Sequence, residues 1–114
     1  MVRARGDFDG DGKQDIARVL VRRDAPEKMG VFVFLADARP PAEAEQLDKF
    51  PLGSGEYMLY TVRKGCYRSP QRTICLNSAG LMRSEIEYGW GTLYWMKNGK
   101  WMRTTLARGE FEGL

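Results

Sequence analysis

The chain has 114 residues, enough for one hydrophobic core and read as a single domain spanning residues 1–114. The formal net charge is +3, and the basic residues, Arg22, Arg63, Lys64, Arg68, Arg72, Arg83, Lys97 and Arg103 among them, are spread along the whole sequence as a solvated surface. They form no dense stripe of the kind that binds nucleic acid, and no apolar run approaches the roughly 20 residues of a membrane span, so neither is expected as a partner. There is no histidine, which removes the commonest general base, the commonest zinc ligand and every Ser-His or Cys-His nucleophile.

The first feature in chain order is Asp7-Phe-Asp-Gly-Asp-Gly-Lys-Gln-Asp15. Asp7, Asp9, Asp11 and Asp15 occupy positions one, three, five and nine of a tight loop. Calcium is a hard ion that takes six to eight oxygens, and carboxylates at alternate loop positions can converge on one point. Lys13 stands at position seven, where a backbone carbonyl serves and the side chain does not matter. Gly10 and Gly12 let the backbone wrap the ion with positive φ. An EF-hand carries a bidentate Glu at position twelve; here that position is Arg18, and the residues after the loop read as strand. The loop is therefore expected to hold Ca2+ and to lead into a strand rather than a helix. Only six residues precede Asp7, little room for a strand, which implies a longer precursor that has lost its targeting segment. Arg5-Gly6-Asp7 spells an adhesion tripeptide, but its aspartate is committed to the cation and the three-residue match is not specific.

Ile16–Val21 reads as a short β-branched strand and Val31–Leu35 as a buried one. Pro26 and Gly30 punctuate the segment between them. Ala42–Lys49 is the only helical candidate, and Phe50–Gly55 reads as a loop. Tyr57–Arg63 is the next strand. Cys66 and Cys75 bracket a polar segment containing Pro70, and strand-like residues flank it; a hairpin there would bring the two thiols within bridging distance. With no further Cys or His to complete a metal site, the expectation is a disulfide, hence a periplasmic or secreted protein.

Ile74–Asn77 and Leu81–Tyr88 read as strands, with Arg83, Glu85 and Glu87 on one parity. Leu93–Lys97 and Lys100–Thr104 flank Asn98-Gly99, the strongest short hairpin signal, because both turn positions need positive φ. A two-residue turn pairs Lys97 with Lys100, Met96 with Trp101 and Trp95 with Met102. Six to eight short strands with at most one short helix place the chain in the mostly β class, as an antiparallel β-sandwich or a curved sheet. Glu85 and Glu87 share a strand face, yet no pocket motif surrounds them, so the chain is not expected to be an enzyme.

The span Gly6–Asp15 resembles the calcium loops of FG-GAP repeats, in which Gly-Asp-Phe-Asp/Asn-Gly-Asp-Gly-x-x-Asp leads into a strand. A propeller needs several such repeats and this chain has one, so the resemblance is to the loop and not to the propeller. The whole chain also resembles a group of small bacterial envelope proteins that carry one such loop and end in an aromatic strand pair around Asn-Gly-Lys; Asp7–Asp15 and Leu93–Trp101 match those two ends. Some of that group resemble periplasmic lysozyme inhibitors, and some serve as immunity proteins against peptidoglycan-degrading toxin effectors.

That resemblance implies a protein partner, a peptidoglycan hydrolase or effector, engaged by a loop of the type Ser-Gly-x-Tyr. Ser54-Gly55-Glu56-Tyr57 has that form, with Tyr57 as a rigid aromatic anchor. The basic balance suits an acidic or neutral hydrolase better than a basic lysozyme. The competing expectation is a calcium-stabilised structural or adhesion module of a larger surface protein.

Overall fold

A computed structural model describes residues 3–21, 23–24, 28–36, 44–51, 57–85, 90–107 and 109–111. Ten strands order it: β1 Arg3–Gly6, β2 Asp15–Val21, β3 Lys28–Phe34, β4 Glu45–Pro51, β5 Tyr57–Val62, β6 Gly65–Arg68, β7 Thr73–Leu76, β8 Gly80–Glu85, β9 Gly91–Lys97 and β10 Lys100–Leu106. All pairings are antiparallel, and no helix occurs among the described residues.

Two four-stranded sheets, β1-β2-β3-β4 and β10-β9-β8-β5, carry the fold, and β6-β7 forms a separate hairpin. Their facing sides share one core: Ala4, Phe8, Ala17, Val31 and Val33 from the first half of the chain meet Leu59, Leu81 and Tyr94 from the second. Side-chain alternation gives the second sheet another apolar face, where Val62, Met82, Leu93 and Leu106 pack with Ile74 and Leu76 of the hairpin and with Phe111. Leu81/Met82 and Leu93/Tyr94 are neighbours in sequence that serve opposite cores. Fully burying a side chain such as Leu81 or Val31 stabilises the fold by about 1.5–3 kcal/mol.

The C-terminal hairpin has the register its sequence demands, Lys97↔Lys100, Met96↔Trp101 and Trp95↔Met102. Asn98 and Gly99 both take positive φ, 53° and 76°. Cys66 and Cys75 lie directly opposite in β6-β7 and form the expected disulfide, across a sequence separation of 9.

Three expectations are corrected. The candidate helix Ala42–Lys49 is overridden where it can be seen, because residues 45–51 form β4 along the open side of β3. A strand lets Leu47 and Phe50 pack against the core while Glu45, Gln46 and Lys49 stay exposed. The same strand takes Phe50 and Pro51 from the expected loop. Finally, Arg3–Gly6 is long enough for a strand, pairing with Asp15–Arg18 so that the acidic segment is a hairpin connection. These additions raise the strand number beyond the six to eight expected.

Candidate metal centre

The acidic loop joins β1 to β2 and is pinned from three directions. Phe8 is fully buried and lies 6.3 Å from the Trp101 ring, so the second loop position plugs the core. The turn before β8 holds the loop backbone: the Ser78 hydroxyl donates to the Phe8 carbonyl at 2.8 Å, and the Ala79 N–H donates to the Asp7 carbonyl at 3.2 Å. Asp15 is fully buried at the start of β2, where its carboxylate accepts the Phe8 N–H at 2.9 Å and the Ala36 N–H at 3.0 Å. Gly10 and Gly12 take φ of 77° and 86°, the left-handed region that the wrap requires.

Within this frame Asp7, Asp9 and Asp15 present carboxylate oxygens that all lie within 4.8 Å of one another. Asp7 also organises the turn, accepting N–H groups from Gly10 at 2.9 Å, Asp11 at 3.1 Å and Gly12 at 2.9 Å. Burial opposes its ionisation, but the Gly12, Gly10 and Asp11 N–H groups and the Asp9 side chain outweigh it and hold its pKa below the usual value. Asp9 is pushed the other way, by burial first and then by the Asp15 charge and the Asp7 side chain, against hydrogen bonds from Asp11. Opposite shifts on Asp7 and Asp9 fit a hydrogen bond between the two side chains that favours the ionised Asp7 and the protonated Asp9. Asp11 stands outside the group of three and accepts the Lys13 N–H at 2.9 Å.

The donor set fits a hard divalent cation. Each carboxylate oxygen has two acceptor sites, so the buried Asp15 retains capacity beyond the N–H groups it accepts. Three carboxylates with no sulfur or imidazole are ligands of the calcium and magnesium type. Of the Arg5-Gly6-Asp7 tripeptide, Arg5 is exposed, Gly6 is buried in β1 and Asp7 belongs to the turn. No protein-family model, curated protein or solved structure matches the chain.

The other expected site is distributed differently. Tyr57 is only 8% exposed, with its ring 4.6 Å from Phe50 and 5.2 Å from the Arg83 guanidinium, so it packs the sheet interface rather than projecting from it. Tyr57, the residue expected to contact a partner, thus takes an inward strand position on the same face as Leu59. Ser54, Gly55 and Glu56 lie outside the described residues, as do Glu87 and the side chain of Glu85.

A polar cluster that sequence reasoning missed lies beside Tyr57. The β3–β4 register pairs Val31 with Asp48 and Phe32 with Gln46, so Leu47 is the extra residue of a β-bulge. Both Leu47, packed on the core, and Asp48 are thereby aimed inward. Gly30 permits the close approach, since a Cβ there would lie 2.9 Å from the Asp48 carbonyl. Asp48 accepts the Tyr94 hydroxyl at 2.8 Å and pairs with Arg103 at 2.9 Å and Arg83 at 3.6 Å. Arg83 also donates to Tyr94 and Thr92, and its guanidinium lies 4.5 Å from the Phe50 ring. Burial pushes the Tyr94 phenol above its usual range, and the Asp48 carboxylate adds to the shift. Arg83, read from sequence as solvated surface, is therefore an interior residue with its side chain 11% exposed.

Proposed function

We propose that the chain is a calcium-stabilised, non-enzymatic domain of the bacterial envelope, periplasmic or secreted, that binds and inhibits a peptidoglycan hydrolase in the manner of an immunity protein. The observation that carries the metal part is the convergence of the Asp7, Asp9 and Asp15 carboxylates on a frame anchored by Phe8 and Asp15. Asp7, Asp9 and Asp15 hold the ion, and the loop spacing adds Asp11 and the Lys13 carbonyl. The ion neutralises their repulsion and ties the β1–β2 connection to the core, so its role is structural rather than that of a sensor.

The disulfide supports an oxidising compartment, since such bridges persist where thiols are not kept reduced. The hydrolase partner is implied by the resemblance of Asp7–Asp15 and Leu93–Trp101 to the envelope inhibitors. With Tyr57 committed to packing, contact through the expected loop falls to Ser54, Gly55 and Glu56. Titrating the protein into a muramidase or amidase assay, using hydrolases encoded beside its gene, tests this reading. Loss of hydrolase activity at near-stoichiometric inhibitor is the expected result; full activity of every such hydrolase at a large excess of the protein overturns it.

A further inference from the structure

The disulfide stands on a part of the fold that neither large sheet includes. Among the described residues, β6 and β7 pair with each other and with no other strand. Side-chain alternation sets which way this hairpin faces. Ile74 and Leu76 of β7 are buried, 7% and 3% exposed, and Tyr67 of β6 packs against the same apolar face of the second sheet. Cys75 lies between Ile74 and Leu76, and Cys66 precedes Tyr67, so both cysteines point away from that face, and both are exposed. They are directly opposed in the register, and the chain has no third cysteine to exchange with them.

A disulfide opens when a thiolate attacks one sulfur and the other leaves as a thiolate, so access and local charge set how readily it reacts. Residues 57–84 include no aspartate or glutamate. Glu110 reaches the hairpin turn at Ser69 and is matched there by Arg72. Arg68 is exposed and lies two residues beyond Cys66, on the same face of β6 and opposite Thr73. The attacking and the leaving thiolate are both anions, and a guanidinium on their side of the hairpin favours each.

We propose that the Cys66–Cys75 bridge is a redox-operated latch: a dithiol reductant opens it in the folded protein, with Arg68 favouring the attack, and the β6–β7 hairpin then releases from the second sheet. One thiolate of the dithiol attacks a cysteine sulfur, forms a mixed disulfide and expels the other cysteine as a thiolate. The second thiolate of the dithiol then attacks the reductant's own sulfur in that mixed disulfide and expels the second cysteine. The reductant leaves as a disulfide, having given two electrons, and its protons pass to the cysteine thiolates or to solvent. A two-stranded hairpin of four residue pairs is marginal in water without its cross-link. The core shared by the two large sheets contains no residue of the hairpin, so it survives the release. Val62, Met82, Leu93 and Leu106, which pack with Ile74 and Leu76 in the closed state, become accessible. The latch rests on neither the metal nor the hydrolase reading.

The test incubates the oxidised full chain with dithiothreitol, without denaturant, and traps the freed thiols by alkylation for mass measurement. A reduction rate that grows in proportion to the dithiol concentration is expected; a rate that levels off at the independently measured rate of global unfolding overturns the latch. Hydrogen exchange then compares the oxidised chain, the reduced chain and the double variant Cys66→Ser, Cys75→Ser. Exchange in β6 and β7 should rise about tenfold or more in both forms that lack the bridge, while β2, β5 and β9 keep their protection. Unchanged exchange in the hairpin, or an equal rise in every strand, overturns the proposal. Arg68→Glu should slow reduction by a carboxylate-bearing dithiol about fivefold more than reduction by dithiothreitol, and Arg68→Lys should keep the original rates. Equal effects of Arg68→Glu on the two reagents contradict the charge-favoured attack.

Discussion

At the residue scale, Asp15 is the most demanding position in the chain. It is fully buried, accepts backbone N–H groups from Phe8 and Ala36, and contributes to the carboxylate cluster. Leaving a buried donor without a partner costs about 1–3 kcal/mol, so Asp15→Ala should lower the unfolding free energy by about 2–4 kcal/mol even in EDTA. Urea denaturation measures this directly, and a loss below about 1 kcal/mol would show that the two bonds matter little. Asp9→Asn should behave otherwise: it makes no comparable buried bonds, so it should leave the EDTA-treated protein almost unchanged and abolish the stabilisation by calcium.

Glu110 gives a pH prediction at the same scale. The Arg72 guanidinium, at 2.7 Å, is the main cause that holds its carboxyl below the ordinary value of 4.5. A depressed folded pKa means that the unfolded state binds the proton more readily. The stabilisation is therefore complete above about pH 4.5 and is lost as pH falls through the folded value. Urea midpoints should drop over that acid range, and Glu110→Gln should flatten the drop.

At the element scale, the two hairpins are secured by different means. The β9–β10 turn is local chemistry: Asn98 and Gly99 accept positive φ, and large cross-strand pairs hold the register. The four-residue strands of β6 and β7 form a two-stranded unit, which is marginal in water without help. That help comes from Ile74 and Leu76 in the outer core, from the disulfide, and from Arg72, which donates to Thr104 at 2.6 Å and to the Thr105 carbonyl at 2.7 Å. Closing a loop of sequence separation 9 is worth about 2–3 kcal/mol on the chain-entropy account. Replacing both cysteines by alanine should cost about that much and should raise hydrogen exchange in β6-β7 before the rest. Uniform exchange across all strands would contradict a separate hairpin unit.

The elements also show what could be read from sequence. The β9–β10 hairpin was legible to the register because its turn residues act locally. The turn of the acidic loop and the grouping of Asp7, Asp9 and Asp15 were legible because the alternating aspartates and the two glycines lie within nine consecutive residues. β4 was not, since Ala42–Lys49 has no strong strand pattern and its state is set by the open side of β3. The Asp48 cluster was hidden for a related reason: a bulge changes the parity of its strand, so alternation no longer says which way Asp48 points. Arg83 alternates with Met82 and Ser84 as a surface residue would, and only the partner sheet shows that its side is the inner one.

At the scale of the whole molecule, the sheets are joined by β1 beside β5 and by β4, whose Asp48 reaches Arg83, Tyr94 and Arg103 while its Phe50 packs on Tyr57. The acidic loop stands at the β1 end, tied through Phe8 to the shared core and through Ser78 and Ala79 to the second sheet. On the proposed reading, an ion bound there would act on the contact between the sheets and not on one turn alone. A ligand present at a hundredfold excess over its dissociation constant stabilises the folded state by about 2.7 kcal/mol, which for a domain of this size raises the melting temperature on the order of 10 °C.

The most direct test of the account is a pair of thermal melts of the purified, oxidised chain, in EDTA and in millimolar calcium, repeated with Asp9→Asn. A rise on the order of 10 °C with calcium, absent in the variant, is the predicted result; superimposable melts of the unsubstituted chain in the two conditions would contradict a structural calcium site.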